Sequence, residues 1–164
     1  MSQAHGDWGN FFLAAAGAAA ALTGLLFVAV SLRPSQIRES PFMAGRARAA
    51  FYALVTVLLV GLLALAGQHP SLVGAAEFGV AVAMESLSVP FSLAAMQDGR
   101  LNYARAAVYH AGVVIVAVAG FLQAAAVSWS DTTTLLACGL LMLLGIGVSN
   151  AWQLVLSHDP DQSG

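Results

Sequence analysis

Charged side chains are scarce in this sequence. Only 9% of its 164 residues are Asp, Glu, Lys or Arg, whereas a soluble domain has about 25%. Lysine is absent and the formal net charge is -2, so the chain lacks the excess of positive charge that is typical of nucleic-acid-binding proteins. Hydrophobic residues make up 59% of the chain. This composition excludes an ordinary soluble domain and predicts an integral membrane protein.

Cysteine is almost absent as well. The single residue, Cys138, excludes an intrachain disulfide and a thiolate metal cluster. The chain has no HExxH, GxSxG, P-loop or GxGxxG motif. His69 and His110 are expected near opposite membrane faces, so one chain cannot offer them as paired haem ligands. We therefore predict a protein that is not an enzyme and that holds no cofactor or metal.

Five stretches are apolar over the roughly 20 residues that a helix needs to cross a bilayer. They cover residues 9–32, 49–67, 71–96, 106–129 and 135–156. The start of the chain lacks the positive region of a signal peptide, so we expect the first span to be retained. Within it, Ala16, Ala20 and Gly24 have the four-residue spacing that favours close helix packing. The connections are short, which predicts one domain, 1–164, an all-α bundle of five transmembrane helices.

The arginines predict the orientation of this bundle. Successive loops between the five stretches contain four, zero, two and zero arginines. This alternation is what the positive-inside rule requires of a five-span protein. We expect the N-terminus outside, and the C-terminus and both arginine-bearing loops inside.

The third stretch carries two carboxylates in an otherwise apolar run. At about 100° per residue, its small and polar residues share one face of a helix. This polar stripe consists of Gly74, Glu77, Ala81, Met84, Glu85, Ser88, Ser92 and Ala95. At about 1.5 Å per residue, Glu85 lies about 21 Å from one end of the stretch and about 18 Å from the other. An acid so close to the bilayer centre normally faces a bundle interior or a hydrated cavity.

Two interpretations of these acids stand. In the structural one, Glu85 is a neutral acid bonded to a backbone carbonyl or to Thr23, which shares its depth on the first helix. Glu77 then reaches water or forms a hydrogen bond with Gln123, which we expect in the same outer layer.

In the functional interpretation, the third helix lines a hydrated path for a proton or small cation. Glu85, Ser88 and Ser92 supply oxygens along the path, and Glu77 lies at its outer mouth. Thr23 and Gln123 are further candidates for the lining of the path. Carboxylates concentrate positive charge, which favours cations over anions. Pro90 adds a carbonyl, that of Ser86, because a proline cannot donate to it.

Two further polar residues are expected near the inner side of the membrane. His110 and Asn150 share a depth there. A histidine can act as a switch near neutral pH, or it can anchor a helix at the interface. For Asn150 we favour a hydrogen bond between helices.

The opening WGNFFLAAAGAAAALTGLLFVAVSL is followed by an arginine-bearing loop and GRARAAFYALVTVLLVGLLAL. This part, about the first 65 residues, resembles small bacterial multi-span membrane proteins labelled as modulators of the FtsH protease. The resemblance implies a place in the bacterial cytoplasmic membrane and a regulatory role beside a membrane protease. It implies no catalytic residues.

We predict a small membrane protein that forms a proton or small-cation pathway lined by the third helix. A homo-oligomer is expected, because one small bundle offers little interior for its polar groups. The alternative is a non-enzymatic regulatory subunit of another membrane protein, such as a membrane protease.

Overall fold

The computed structural model describes residues 2–32, 34–66, 69–96 and 100–156. Its six helices are α1 Ser2–Leu32, α2 Pro34–Glu39, α3 Pro41–Ala66, α4 Pro70–Met96, α5 Arg100–Ala124 and α6 Trp129–Leu156. All except the short α2 contain a segment long and apolar enough to cross a membrane. These segments are Trp8–Leu32, Met43–Ala66, Pro70–Pro90, Tyr103–Ala124 and Asp131–Leu154. The predicted inner tail, from residue 157, lies outside the described residues.

Four of the long helices close a ring. Helix α3 packs against α4, α4 against α5, α5 against α6, and α6 returns to α3, while α1 packs on the outside against α3 and α6. The arginine end of the bundle, defined by Arg46, Arg48 and Arg105, is where α1, α4 and α6 end and where α3 and α5 begin. The apolar core is built mainly by α1, α3, α5 and α6, and Ala81 is the member from α4. Helix α4 is therefore the polar member of the ring.

Much of the predicted long loop between the first two spans is helical. Helix α2 begins at Pro34 and α3 begins at Pro41, because a proline fits the first position of a helix, where no partner for its missing N–H is needed. The Ser40 hydroxyl accepts a hydrogen bond from the Met43 backbone N–H at 3.3 Å and caps α3.

Helix α5 is shifted relative to the predicted span. It begins at Arg100, six residues before the predicted start at 106, and ends at Ala124. Beyond that end, Ala126 has a φ of 58°, and the Val127 N–H bonds to the Leu122 carbonyl at 3.0 Å. This is a Schellman ending with alanine where glycine is usual, so no residue type marks it in the sequence. The shift carries His110 deeper into the bundle, about 15 Å from the start of α5.

Glycines allow the closest helix contacts. A Cβ atom built on Gly74 of α4 would lie 2.5 Å from the Ala124 backbone nitrogen and 2.6 Å from the Gly120 carbonyl oxygen of α5. On α1, Ala16 is buried and packs near Gly61. Ala20 and Gly24 are exposed and make no such close contact within the chain, so their packing role stays a prediction for contacts with another copy or partner.

Candidate functional site

A carboxyl group and an imidazole meet between α4 and α5. His110 Nδ1 lies 2.6 Å from Glu85 Oε1, and His110 Nε2 lies 2.8 Å from Ser92 Oγ. The side chains of Glu85 and His110 are 30% and 22% exposed. Glu85 lies about 16 Å from the end of α4, close to the depth of His110 on α5. Three residues of two helices thus form one hydrogen-bonded chain near the middle of the bundle.

The hydrogen bonds of Ser92 indicate one arrangement of the protons in this chain. When its hydroxyl donates to the Ser88 carbonyl, at 2.9 Å, its oxygen accepts from His110 Nε2–H. The contact between Glu85 Oε1 and His110 Nδ1 then contains one proton, which lies on one atom or the other. The pair is either acid and imidazole or carboxylate and imidazolium. Both forms have no net charge, which lowers the cost of burial.

Hydroxyl groups of α3, α4 and α5 lie close together beside this pair. Tyr109 is 5% exposed and its hydroxyl lies near those of Ser88 and Thr56, but it forms no hydrogen bond with either. Thr56 donates to the Tyr52 carbonyl at 2.7 Å. Ser88 donates to the Glu85 carbonyl at 2.9 Å. The polar layer at the middle of the ring therefore includes α3 as well as α4 and α5.

The stripe predicted on the third helix faces the inside of the chain. Among its members, Gly74, Glu77, Ala81 and Ser88 are buried, Met84, Glu85 and Ser92 are half-buried, and the side chain of Ala95 lies outside the described residues. The opposite face exposes apolar side chains, namely Leu72, Val82, Leu87 and Val89.

Glu77 and Gln123 lie on facing sides of the α4–α5 crossing, towards the end opposite the arginines. They are 0% and 3% exposed. Both carboxyl oxygens of Glu77 and the amide oxygen of Gln123 lack a hydrogen-bond partner. The hydrogen bond that the structural interpretation expects between these two side chains is therefore not formed.

Two predicted site residues are not brought to this layer. Thr23 donates to the Ala19 carbonyl of its own helix at 2.7 Å, and α1 packs on α3 and α6 rather than beside Glu85. Asn150 is buried on α6, 4% exposed. Both ring nitrogens of His110 contact side chains of α4. His110 therefore forms no hydrogen bond with Asn150, although a common depth was predicted for the two residues.

Tyr109 and Thr56 are missed by the sequence reasoning. Thr56 has a recognisable signal, because it is the only polar residue in the apolar run 53–66 of α3. Tyr109 has a weaker one, because a tyrosine beside a histidine is also typical of the membrane interface.

No group of three His, Cys, Asp or Glu side chains that could hold a metal ion occurs among the described residues. A scan of known protein-family models, a search of curated proteins and a search of solved structures each returned no match. A function for the chain is therefore inferred from the geometry of the site.

Proposed function

We propose that the chain spans the bacterial cytoplasmic membrane, with its arginine end inside, and conducts protons along the α4–α5 interface. Glu85 and His110 are the central relay, Ser92 leads towards the arginine end, and Glu77 lies on the outer side. The observation that carries this proposal is the continuous contact from Glu85 through both nitrogens of His110 to Ser92. The orientation is supported by the arginines, because the five that the structure describes, Arg38, Arg46, Arg48, Arg100 and Arg105, all fall in α2 or near the starts of α3 and α5, on one side of the bundle.

The geometry favours a proton over a larger cation. Oε1 of Glu85 and Nδ1 of His110 are 2.6 Å apart, a distance at which a proton fits between them and a metal ion does not. Imidazole can take a proton at one nitrogen and release one from the other, which makes histidine a common proton shuttle.

One transfer can be written with its protons balanced. A proton binds Glu85 Oε2, which is buried and has no hydrogen-bond partner, while the proton shared at Oε1 moves to His110 Nδ1. Ser92 takes the proton of Nε2 as its own hydroxyl proton leaves for water at the arginine end. One proton enters and one leaves, so the pair keeps its charge. The start is restored when the carboxyl group rotates to bring its proton to Oε1 and the imidazole, by exchange with water, loses its Nδ1 proton and takes one at Nε2.

A homo-oligomer stays a prediction. The reason for expecting it, that one small bundle offers little interior for its polar groups, is weaker in the structure. A single chain already buries Glu77, Gln123 and Asn150, and it pairs Glu85 with His110. The part of this pair that stays exposed is the surface that water or a second copy would cover.

The alternative function is a regulatory subunit of another membrane protein. The polar stripe of α4 packs inside its own chain, so a partner would bind the exposed apolar faces instead. Replacing Gly74 or Ala81 by Leu would disturb the fold itself and cannot identify such a partner. A stoichiometric partner recovered from native membranes, together with no proton flux from the purified protein, would favour this alternative.

The test is proton flux into liposomes that contain the purified protein. Glu85→Gln keeps the size of the side chain and removes the titratable group, so we expect flux to fall to the level of empty liposomes. The matched control is Ser86→Ala, because Ser86 is exposed and donates only to the Val82 carbonyl of its own helix. Equal flux from wild type and Glu85→Gln would contradict the role of Glu85.

A further inference from the structure

The outer half of α4 holds an acid that has no counter-ion. Glu77 is fully buried, and neither of its carboxyl oxygens has a hydrogen-bond partner. A lone ionised carboxylate in such surroundings is too costly to persist. It therefore carries a proton, or another cation is bound to it.

The elements packed against this acid supply no positive group. Helix α4 packs on α3 and α5, and residues 57–66 of α3 and 113–124 of α5 include no Asp, Glu, Lys, Arg or His. Glu85, the other acid of α4, is paired with His110 of α5 and lies two turns further on, about 12 Å along the axis. His69, which precedes the helix, is exposed.

The one polar side chain facing Glu77 from α5 is Gln123, and its geometry suits an acid. A Cβ built on Gly74 would lie 2.9 Å from Gln123 Cβ, and one built on Gly120 would lie 3.2 Å from Glu77 Cβ. The two side chains therefore start one helical turn apart at the same crossing. Helical side chains lean towards the N-terminus of their own helix, and α4 and α5 are antiparallel, so these two lean towards each other.

We propose that Glu77 and Gln123 form an occluded proton-binding site, in which a protonated carboxyl group pairs with a carboxamide. The acid O–H donates to the amide oxygen, and the amide N–H donates to the acid carbonyl. Neither hydrogen bond is formed with the side chains as they stand, and a change of rotamer that brings the two groups together satisfies all three oxygens that otherwise have no partner. An ionised Glu77 could accept from the amide but would leave the Gln123 oxygen with no donor.

The site differs from the Glu85 and His110 pair in its chemistry. Its proton is held by a neutral acid with no base beside it, whereas His110 can accept the proton of Glu85. Occupancy of the Glu77 site does not depend on transport, so flux and occupancy are tested separately.

Infrared difference spectra of the purified protein at neutral pH, without sodium, test this site. Subtracting the Glu77→Gln spectrum from that of wild type isolates one of the eight acidic residues. We expect the C=O stretching band of a protonated carboxylic acid. The paired bands of a carboxylate would overturn the proposal, and so would replacement of the acid band by carboxylate bands when sodium is added.

A second variant tests the partner. Gln123→Leu removes the amide and keeps an apolar side chain of similar size, so the acid band of Glu77 should persist and move to higher wavenumber as its carbonyl loses a donor. An unmoved band would overturn the pairing with Gln123. Circular dichroism and thermal unfolding of both variants check that the helical fold is kept, and the Glu85→Gln difference spectrum serves as the control for a different acid.

Discussion

At the scale of residues, the centre of the protein is a pair of groups that each help the other to be buried. Glu85 and His110 share one proton, and Ser92 fixes which imidazole nitrogen donates. Removing one member leaves the other as a polar group without its partner, which costs more than removing both. The two residues should therefore be energetically coupled.

A double-mutant cycle measures this coupling. Glu85→Leu and His110→Phe each remove the polar group with little change of size. We expect the double variant to be more stable than the sum of the two single changes by about 1–2 kcal/mol, the upper range for hydrogen bonds between membrane helices. The free energy of unfolding in mixed micelles is the measurement. Ser86→Ala combined with His110→Phe is the control, and additivity in both cycles would contradict the coupling.

The sequence identified Glu85 as the central residue but not its partner. The apolar run places His110 near the start of a span, whereas α5 begins at Arg100 and brings His110 to the depth of Glu85. Polar residues at the start of a helix do not look like part of a membrane span, so depth counted from the apolar run is too shallow. The prediction that Thr23 is a partner of Glu85 is wrong for another reason, because a common depth in the membrane does not say which helices are neighbours.

At the scale of elements, the crossing of α4 and α5 depends on two glycines. Gly74 and Gly120 let the two backbones meet, and a side chain on Gly74 would collide with backbone atoms of α5. Backbone atoms cannot move aside as the end of a flexible side chain can. This contact holds Glu77 and Gln123 one helical turn apart at the same crossing and keeps α4 in register with His110.

Substituting either glycine should change the free energy of unfolding, whereas a matched control substitution on the same helix should not lower it. Gly74→Ala and Gly120→Ala force the helices apart, and we expect each to lower the free energy of unfolding by about 1–3 kcal/mol. Gly79→Ala is the control on the same helix, since nothing lies within 4 Å of its added Cβ. That change should be neutral or stabilising by about 0.5–1 kcal/mol, because alanine favours a helix. Equal effects at Gly74 and Gly79 would contradict the close crossing.

The number and approximate positions of the long helices could be predicted from apolar length, but their ends could not. Prolines at 34, 41 and 70 start helices, although a proline is also read as the end of the helix before it. The end of α5 is invisible in the sequence because Ala126 takes the backbone conformation usual for glycine. The inward direction of the α4 stripe was predictable, since its polar face had to be hidden.

At the scale of the whole molecule, the orientation in the membrane is open to a direct test. Cys138 is exposed on α6 and is first replaced by alanine, so that each variant contains only the thiol that is introduced. Single cysteines are then placed at Ser71 and Glu39, which are exposed at opposite ends of the bundle. A maleimide that cannot cross the membrane should label Ser71→Cys in intact cells and Glu39→Cys only after permeabilisation. The reverse pattern would contradict the orientation that the arginines predict.

A bundle that conducts protons through Glu85 and His110 has a reversal potential set by the pH difference, and measuring this potential separates proton conduction from metal-ion conduction. In a bilayer with a pH difference and equal sodium and potassium on both sides, the reversal potential of wild type should move by about 59 mV per pH unit, the value for one charge per tenfold gradient. It should ignore added sodium or potassium gradients, and Glu85→Gln should carry no current. A reversal potential that follows sodium or potassium, or a wild type without current, would contradict the account.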